Sequence, residues 1–503
     1  MMGRIAIHMA ESSINWRYGP MSDENLIKGL KAIVGPKMVS TSPTVCESYA
    51  YSFSLSIDWV TRPEIVVMPT TTQHVSEIVK LANRYKVPIT PKGAAGMTGH
   101  GGPLHGGILL DFIHMDNILL IDDKNMKAVT EPGCSFFKLA QELFKKEMIL
   151  PTAEYGPGPN VAASAITPVN GFGKTRYGRN IDLVEGFEVV LPTGEIVQIG
   201  SMAYAETDFG PFFRYITGPD LIGLYTQSNG AYGIVTKIAY RCIKRPPYWS
   251  FFTYYWPLEK IRQCTEVLQE TTAMELFDVH INDKWKFEGF KFLTGVSLVP
   301  DDCYFCVVFS INGFSQQELE GKRKTVEALC SDLEGKELPG IAESFFDAWP
   351  TFFCPPTHPV AAQLADAGYK VTKGGYMYMY DSMNYPLSWF PQVYEKIMEI
   401  AQKHKIHGPP RLTVFDGFPM KSQVMCSQTW AFVNRKDPEW MQAIHDSKEE
   451  IREWFGKRGG TYQQCFPPVL PDFTWTNQES AHALLKRFKQ FLDPNNILSP
   501  GTF

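Results

Sequence analysis

The stretch PITPKGAAGMTGHGGPLHGGILLDF, residues 88–112, sets seven glycines between two short apolar runs. Glycines expose successive backbone N–H groups, and a concave row of such donors binds a phosphate without needing a lysine. Spacing excludes two familiar phosphate cradles. A dinucleotide fingerprint needs G-x-G-x-x-G between a strand and a helix, whereas Gly93, Gly96 and Gly99 stand three apart and lead into more glycine and the strand ILLDF. Gly173-Lys174-Thr175 suggests a nucleotide-triphosphate loop, but Pro168 stands where that loop requires glycine, and Arg176-Tyr177-Gly178 reads as a turn with no helix after it. What remains is a strand, a loop of small residues and a second strand. Loops this long and this small are usually functional; a ligand-free surface loop is the alternative.

The flanking sequence supplies the frame. EIVVMP reads as a strand, TTTQHVSEIVKLANRYK as a helix with threonine caps and an apolar face at Val75, Ile78, Val79 and Ala82, and VPIT as the next strand, a βαβ beginning. ILLDF, ILLIDD and KAVTEPG follow as strands, then the helix SFFKLAQELFKKEM with Ser135 placed to cap it. FEVVLPTGEIVQIG is a hairpin about Pro-Thr-Gly, and Pro-Pro closes this unit near residue 248. Strands and long helices then alternate, including DPEWMQAIHDSKEEIREWFGKR, ended by Gly459 and Gly460, and the aromatic run GGYMYMYDSMNY. The division expected is an amino-terminal arm (1–55), a first domain (56–248), a second domain (249–455) and a segment returning to the first (456–503).

Composition narrows the function. The longest apolar runs are strand-sized and fall short of the roughly 18 residues of a membrane span. A net charge of −5 without a basic cluster offers no footprint for nucleic acid. No export signal is read in MMGRIAIHMAESSINW, and with ten scattered cysteines this points to reduced thiols in a cytoplasm. Cys303 and Cys306 form a CxxC in DDCYFCVVFS, a run read as a strand, where odd spacing sends the two side chains to opposite faces and speaks against a redox or metal pair.

At this point the sequence resembles the flavoenzymes of the vanillyl-alcohol oxidase and p-cresol methylhydroxylase type, with glycolate and D-lactate dehydrogenase flavoproteins as cousins. The resemblance rests on RPEIVVMPTTTQHVSEIVKLANRYKVPITPKGAAG, EPGCSFFKLAQELFKKEMILPT, GFEVVLPTGEIVQIG, GLYTQSNGAYGIVTKIAYR and LDPNNILSPG, in that order. It implies an α+β fold: a two-subdomain FAD-binding domain of the p-cresol methylhydroxylase type and a cap domain of antiparallel sheet flanked by helices. It puts the FAD pyrophosphate against Pro91, Lys92, Gly93, Ala94, Ala95, Gly96, Met97, Thr98 and Gly99. Pro132, Gly133 and Cys134 would lie near the flavin, and Gly233, Ile234 and Val235 would offer it main-chain groups.

In the phenol-oxidising branch a tyrosine and an arginine near the carboxyl end hold the substrate as a phenolate. The matching stretch GGTYQQCF gives Tyr462 for the tyrosine but Gln463 for the arginine, and a neutral amide stabilises an oxyanion less than a guanidinium does. A second tyrosine of that site is replaced by His100, which either serves an oxyanion or a proton or merely packs in its loop. Lys174, Arg176, Tyr177 and Arg179 fall where the family lines the flavin; solvated surface is the competing reading. The histidine pair of the cousins' metal site is missing around Asp416 and Gly417, so no metal is expected. Tyr376, Tyr378 and Tyr380 lie where covalent flavin attachment could occur.

The reading is an FAD-dependent oxidoreductase taking hydride from a 4-alkylphenol or hydroxybenzyl-alcohol-like substrate and passing electrons to oxygen, a cytochrome or an iron–sulfur protein. A 2-hydroxy acid dehydrogenase and a non-catalytic flavin-binding electron-transfer subunit are the alternatives, and a homodimer or larger oligomer is expected.

Overall fold

The computed structural model describes residues 23–50, 62–93, 103–151, 160–166, 171–294, 297, 299–340, 375–408, 411–434, 437–462, 475 and 477–502. Its first unit begins with helix α1 (Glu24–Val34), capped by the Asp23 carboxylate, which accepts from the backbone N–H groups of Asn25 and Leu26. Strands β1 (Val39–Ser40) and β2 (Ile65–Val67), helix α2 (Thr72–Tyr85), and strands β3 (Ile89–Lys92) and β4 (Ile108–Asp111) follow. They form a four-stranded sheet in the order β1-β2-β4-β3, with β2 and β3 both parallel to β4. Thr71 caps α2, and Val75, Ile78, Val79 and Ala82 are buried, the face that the apolar spacing predicts.

The second sheet takes β5 (Ile118–Asp122), β6 (Lys127–Thr130), β7 (Val184–Val190), β8 (Ile196–Gly200) and β9 (Ile234–Arg241), ordered β5-β6-β9-β7-β8 and antiparallel throughout. β7 and β8 are the expected hairpin, turned at Gly194 with φ 84°. Between β6 and β7 lie α3 (Phe136–Phe144), capped by Ser135, α4 (Val161–Ile166) and a single helical turn α5 (Lys174–Tyr177). The last corrects the expectation of a plain turn after Lys174: Gly178 at φ 80° ends the helix after four residues.

The third sheet has eight strands: β10 (Tyr248–Trp256), β11 (Asp278–Asp283), β12 (Phe305–Gly313), β13 (Lys336–Glu337), β14 (Gly375–Pro386), β15 (Thr413–Met420), β16 (Val424–Asn434) and β17 (Thr461–Tyr462). Their order is β13-β10-β12-β11-β15-β16-β14-β17, and every pairing is antiparallel. Helices α6 (Ile261–Ala273), α8 (Gln316–Asp332), α9 (Phe390–Lys403) and α10 (Pro438–Gly456) pack on one face, with α7 (Lys284–Thr294) between β11 and β12. That face is set by parity: Val279 and Ile281, Val307 and Phe309, Phe415, and Met425 and Ala431 all enter one apolar cluster with the helices. Each such buried side chain contributes about 1.5–3 kcal/mol by leaving water. Helix α10 stops at Gly456, and Gly459, at φ 77°, makes the turn beyond it rather than ending it directly.

One further expectation is corrected here. β12 begins only at Phe305, so Cys303 stands in the turn before it, and both cysteines of the CxxC enter one small cluster with Tyr255 and Leu338 instead of opposite faces. Burial pushes the Cys303 thiol up to about 12, which leaves it protonated and unreactive near neutrality.

The carboxyl-terminal helix α11 (Glu479–Leu492) leads into a tail that pairs with β3: Ile89 N–H donates to Ile497 O at 2.6 Å and Ser499 N–H to Ile89 O at 2.8 Å. Lys489 locks this junction, its buried ammonium donating to the Asp493 carboxylate (2.6 Å) and to the carbonyls of Ala231 (2.9 Å) and Leu498 (2.6 Å). Among the described residues no helix is long and apolar enough to cross a membrane.

Candidate active site

The residues expected to meet FAD fall at the ends of three neighbouring elements. Pro91 and Lys92 close β3, and Gly93 follows directly. A Cβ on Gly93 would stand 2.7 Å from Ala163 Cβ and 2.8 Å from Asn160 Oδ1, so only glycine lets β3 end this close to α4. Asn160 in turn donates from Nδ2 to Gly133 O at 2.6 Å, and Val161 N–H donates to Cys134 O at 2.9 Å. One side chain thus joins the turn Pro132–Gly133–Cys134 to the exit of β3. Gly133 N–H is already given to Met115 O (2.7 Å), and the Cys134 thiol is buried and pushed up to about 12. Ile234 and Val235 lie in the ladder opposite Val190 and Val189, directly after Gly233, and the nearby Gly230 lies against Pro91. Lys92 holds its ammonium 4.9 Å from the centre of the Tyr49 ring, whose hydroxyl donates to Asp111 at 2.7 Å. Ala94, Ala95, Gly96, Met97, Thr98, Gly99 and His100 lie outside the described residues, as does Gln463; for Tyr462 the backbone is described, in β17 opposite Met383, but not the side chain.

Lys174 and Arg176 part company. The Lys174 side chain is fully buried and its Nζ meets Asp278 Oδ1 at 3.0 Å and Oδ2 at 3.3 Å, so its charge is matched inside the protein. Thr175 accepts from Val279 N–H at 2.9 Å and donates to Pro419 O at 2.8 Å, and Arg179 donates to Asn384 at 2.5 Å. These bonds lay α5 on the sheet face that the helices leave open. Arg176 points instead to a cavity beside α8.

That open face carries chemistry which the sequence reading passed over. Asp278, His280 and Asn282 alternate along β11, opposite in parity to Val279 and Ile281, and all three are buried. Asn282 pairs across the ladder with Asp416 of β15. Lys286 donates to both, at 2.7 Å to Asn282 Oδ1 and 2.9 Å to Asp416 Oδ1, while His280 Nε2 lies 4.0 Å from the same Asp416 oxygen. The Phe418 ring covers the imidazole at a 4.4 Å centroid distance. Burial, aided by Lys286 and Lys174, holds His280 well below its ordinary pKa, so it is neutral at physiological pH. On β16, Trp430 is buried opposite Val414, and its indole N–H finds no acceptor among the described residues. The period-2 pattern in DVHIND was the available signal. No group of three or more His, Cys, Asp or Glu suited to a metal stands together among the described residues.

Asp283, of the opposite parity, is buried with the Tyr394 hydroxyl donating to it at 3.1 Å; burial raises its carboxyl to about 8. A folded pKa above the unfolded one contributes stability that is full below about pH 4 and lost as pH rises through 8. Asp283→Asn, which mimics the protonated acid, is therefore expected to be more stable than the parent at pH 8 by on the order of a few kcal/mol, with little difference at pH 4. Urea unfolding at the two pH values checks this, and parallel curves for the two proteins would refute it.

The FAD binding domain family matches residues 63–200, and the C-terminal domain of FAD linked oxidases matches residues 471–503. The chain is 27% identical over 348 residues to a D-lactate dehydrogenase of Anaerostipes hadrus, a match covering 66% of this chain and 70% of that protein. It is 30% identical over 195 residues to the flavoprotein subunit of the hydroxylating 4-cresol dehydrogenase of Pseudomonas putida, covering 38% of this chain and 37% of that one. In structure it is similar to 4-ethylphenol oxidase from Gulosibacter chungangensis, with a TM-score of 0.81 at 18% identity over 97% of this chain and 98% of the other. That likeness bears out the expected fold, large antiparallel sheet included. With matches to an FAD binding domain and, toward the carboxyl end, to the C-terminal domain of FAD linked oxidases, the chain is an FAD-dependent oxidoreductase.

Proposed function

We propose that this oxidoreductase takes hydride from an aromatic substrate of the 4-alkylphenol or hydroxybenzyl-alcohol kind, at the benzylic carbon attached para to the phenolic oxygen. In this reading residues 56–248 and the tail from 456 hold FAD, residues 249–455 form the cap, and electrons pass on to oxygen or a cytochrome or iron–sulfur partner. The carrying observation is the buried Trp430 indole N–H, which has no acceptor among the described residues, on the same sheet face as His280, Asp416 and Phe418. A donor left unmet inside a protein calls for an oxygen, and the Trp285 ring packed against Trp430 suits an aromatic ring.

Gly93, Gly133 and Gly233 fit the cofactor as the bare points of these three segments, each held so close to the protein behind it that a Cβ would collide there; the proposed grip is completed by Ala94–Gly99. Bound there, FAD supplies the hydride acceptor. The chain's own residues manage the proton. As hydride leaves the benzylic carbon, the phenolic O–H becomes far more acidic, and a weak base suffices to take its proton. His280, held neutral, is that base, and Asp416 nearby steadies the imidazolium that results. Trp430 and Lys286 donate to the phenolic oxygen, with Tyr462, Gln463 and His100 proposed to complete the pocket.

Anaerobic bleaching of the flavin by a panel of 4-alkylphenols, vanillyl-type alcohols and 2-hydroxy acids tests this. Bleaching by phenols alone supports it. Bleaching by hydroxy acids alone moves the assignment to the second reading, favoured by the D-lactate dehydrogenase relative; bleaching by none leaves a non-catalytic flavin subunit. His280→Gln is expected to lower kcat about 10²-fold with flavin content unchanged, the scale of a lost general base. Undiminished turnover would remove His280 from the mechanism.

A further inference from the structure

A cavity of about 200 Å³ opens between α5, the turn Met274–Phe277, the end of β12 and the outer helix α8. Its polar lining includes Arg176, Asn312 and Lys322. Asn312 is 4% exposed, yet its Nδ2 has no acceptor among the described residues. The Arg176 guanidinium reaches the cavity with no carboxylate within ion-pair distance among the described residues; it lies 5.4 Å from the Tyr177 ring, and, after the Lys322 hydrogen bond, its charge helps hold the Glu318 carboxyl below its usual range. Lys322 adds a second cation, donating to the Asn312 carbonyl at 2.8 Å and to Glu318 at 2.5 Å. The remaining wall is apolar, from Leu276, Phe277 and Val326, and the exposed Glu275 stands at the rim.

We propose that this cavity binds a small carboxylate with an apolar body, of about the size of benzoate, separately from the sheet face that carries His280. The Arg176 guanidinium and the Asn312 amide offer donors that complement a carboxylate's lone pairs, while Lys322 across the cavity is already matched by Glu318. The apolar wall suits a ring or short chain and disfavours a fully hydrated anion. The volume lies below the roughly 300–1,000 Å³ of drug-sized sites, which limits the ligand to about a single ring. Arg176 thereby gains a role distinct from lining the flavin.

Isothermal titration of the flavin-loaded full chain with benzoate and with inorganic phosphate tests the assignment. Benzoate is expected to bind once per chain, at least about tenfold tighter than phosphate. Arg176→Leu and Asn312→Asp should each weaken benzoate about tenfold or more while flavin content and thermal midpoint stay at parent values, because one removes a donor and the other sets a like charge in its place. His280→Gln should leave benzoate binding intact. Phosphate binding as tightly as benzoate, benzoate affinity unmoved by both cavity variants, or loss of benzoate binding in His280→Gln would each overturn the proposal.

Discussion

Gly93→Val is expected to fold but to be isolated without the yellow of bound flavin. The valine Cβ enters space held by Ala163 Cβ at 2.7 Å and Asn160 Oδ1 at 2.8 Å. Asn160 is the side chain that ties this point to Gly133 O, at 2.6 Å, so pushing it aside releases the second proposed flavin-facing turn along with the first. Overpacking of this kind costs about 1–3 kcal/mol. That is small against the core of a chain this size, but each 1.4 kcal/mol taken from cofactor binding is about tenfold in affinity. The ratio of flavin to protein absorbance, read beside far-ultraviolet circular dichroism, separates the two effects. A variant with native dichroism and full flavin content would show that the close approach of β3 to α4 has nothing to do with the cofactor.

Local chemistry was legible in the sequence wherever neighbours along the chain decide the outcome. Thr71 and Ser135 cap the helices expected of them, and Pro-Thr-Gly turns the β7–β8 hairpin, because caps and turns involve groups only a few residues apart. The sheet-face site was not legible, because its partners lie far apart in sequence: Lys174 with Asp278, Lys286 with Asp416. Alternation in DVHIND marks a two-faced strand, but the polar face of an antiparallel strand is ordinarily wet. Only the packing of α5 against that face makes Asp278 a buried group. The same local accident separates Lys174 from Arg176. A single helical turn sends one inward to an ion pair and the other to a cavity wall, whereas family resemblance had set both beside the flavin.

Lys174→Met is expected to be the most destabilising single change at the junction between α5 and the large sheet. Methionine keeps the aliphatic length of lysine but leaves Asp278, 2% exposed, with only backbone donors from that junction, the N–H groups of Gly173 (3.2 Å) and of residue 174 itself. Breaking a buried pair on one side costs about 3–5 kcal/mol, mostly the penalty of an uncompensated charge. Burial already pushes the Asp278 carboxyl up and the Lys174 ammonium down, each toward its neutral form, against their mutual attraction. Without the lysine the carboxyl is raised further. A raised carboxyl contributes full stability below its unfolded value near 4 and loses it as pH climbs through the folded value, so the deficit of Lys174→Met should be small at pH 4 and grow toward pH 8. The double variant Lys174→Met with Asp278→Asn removes the charge and keeps an oxygen for Gly173, and should recover most of the loss with no such pH slope. Urea midpoints of the three proteins at pH 4 and pH 8 decide it: a deficit independent of pH, or a double variant no better than the single, would mean that packing rather than charge holds α5 against the sheet.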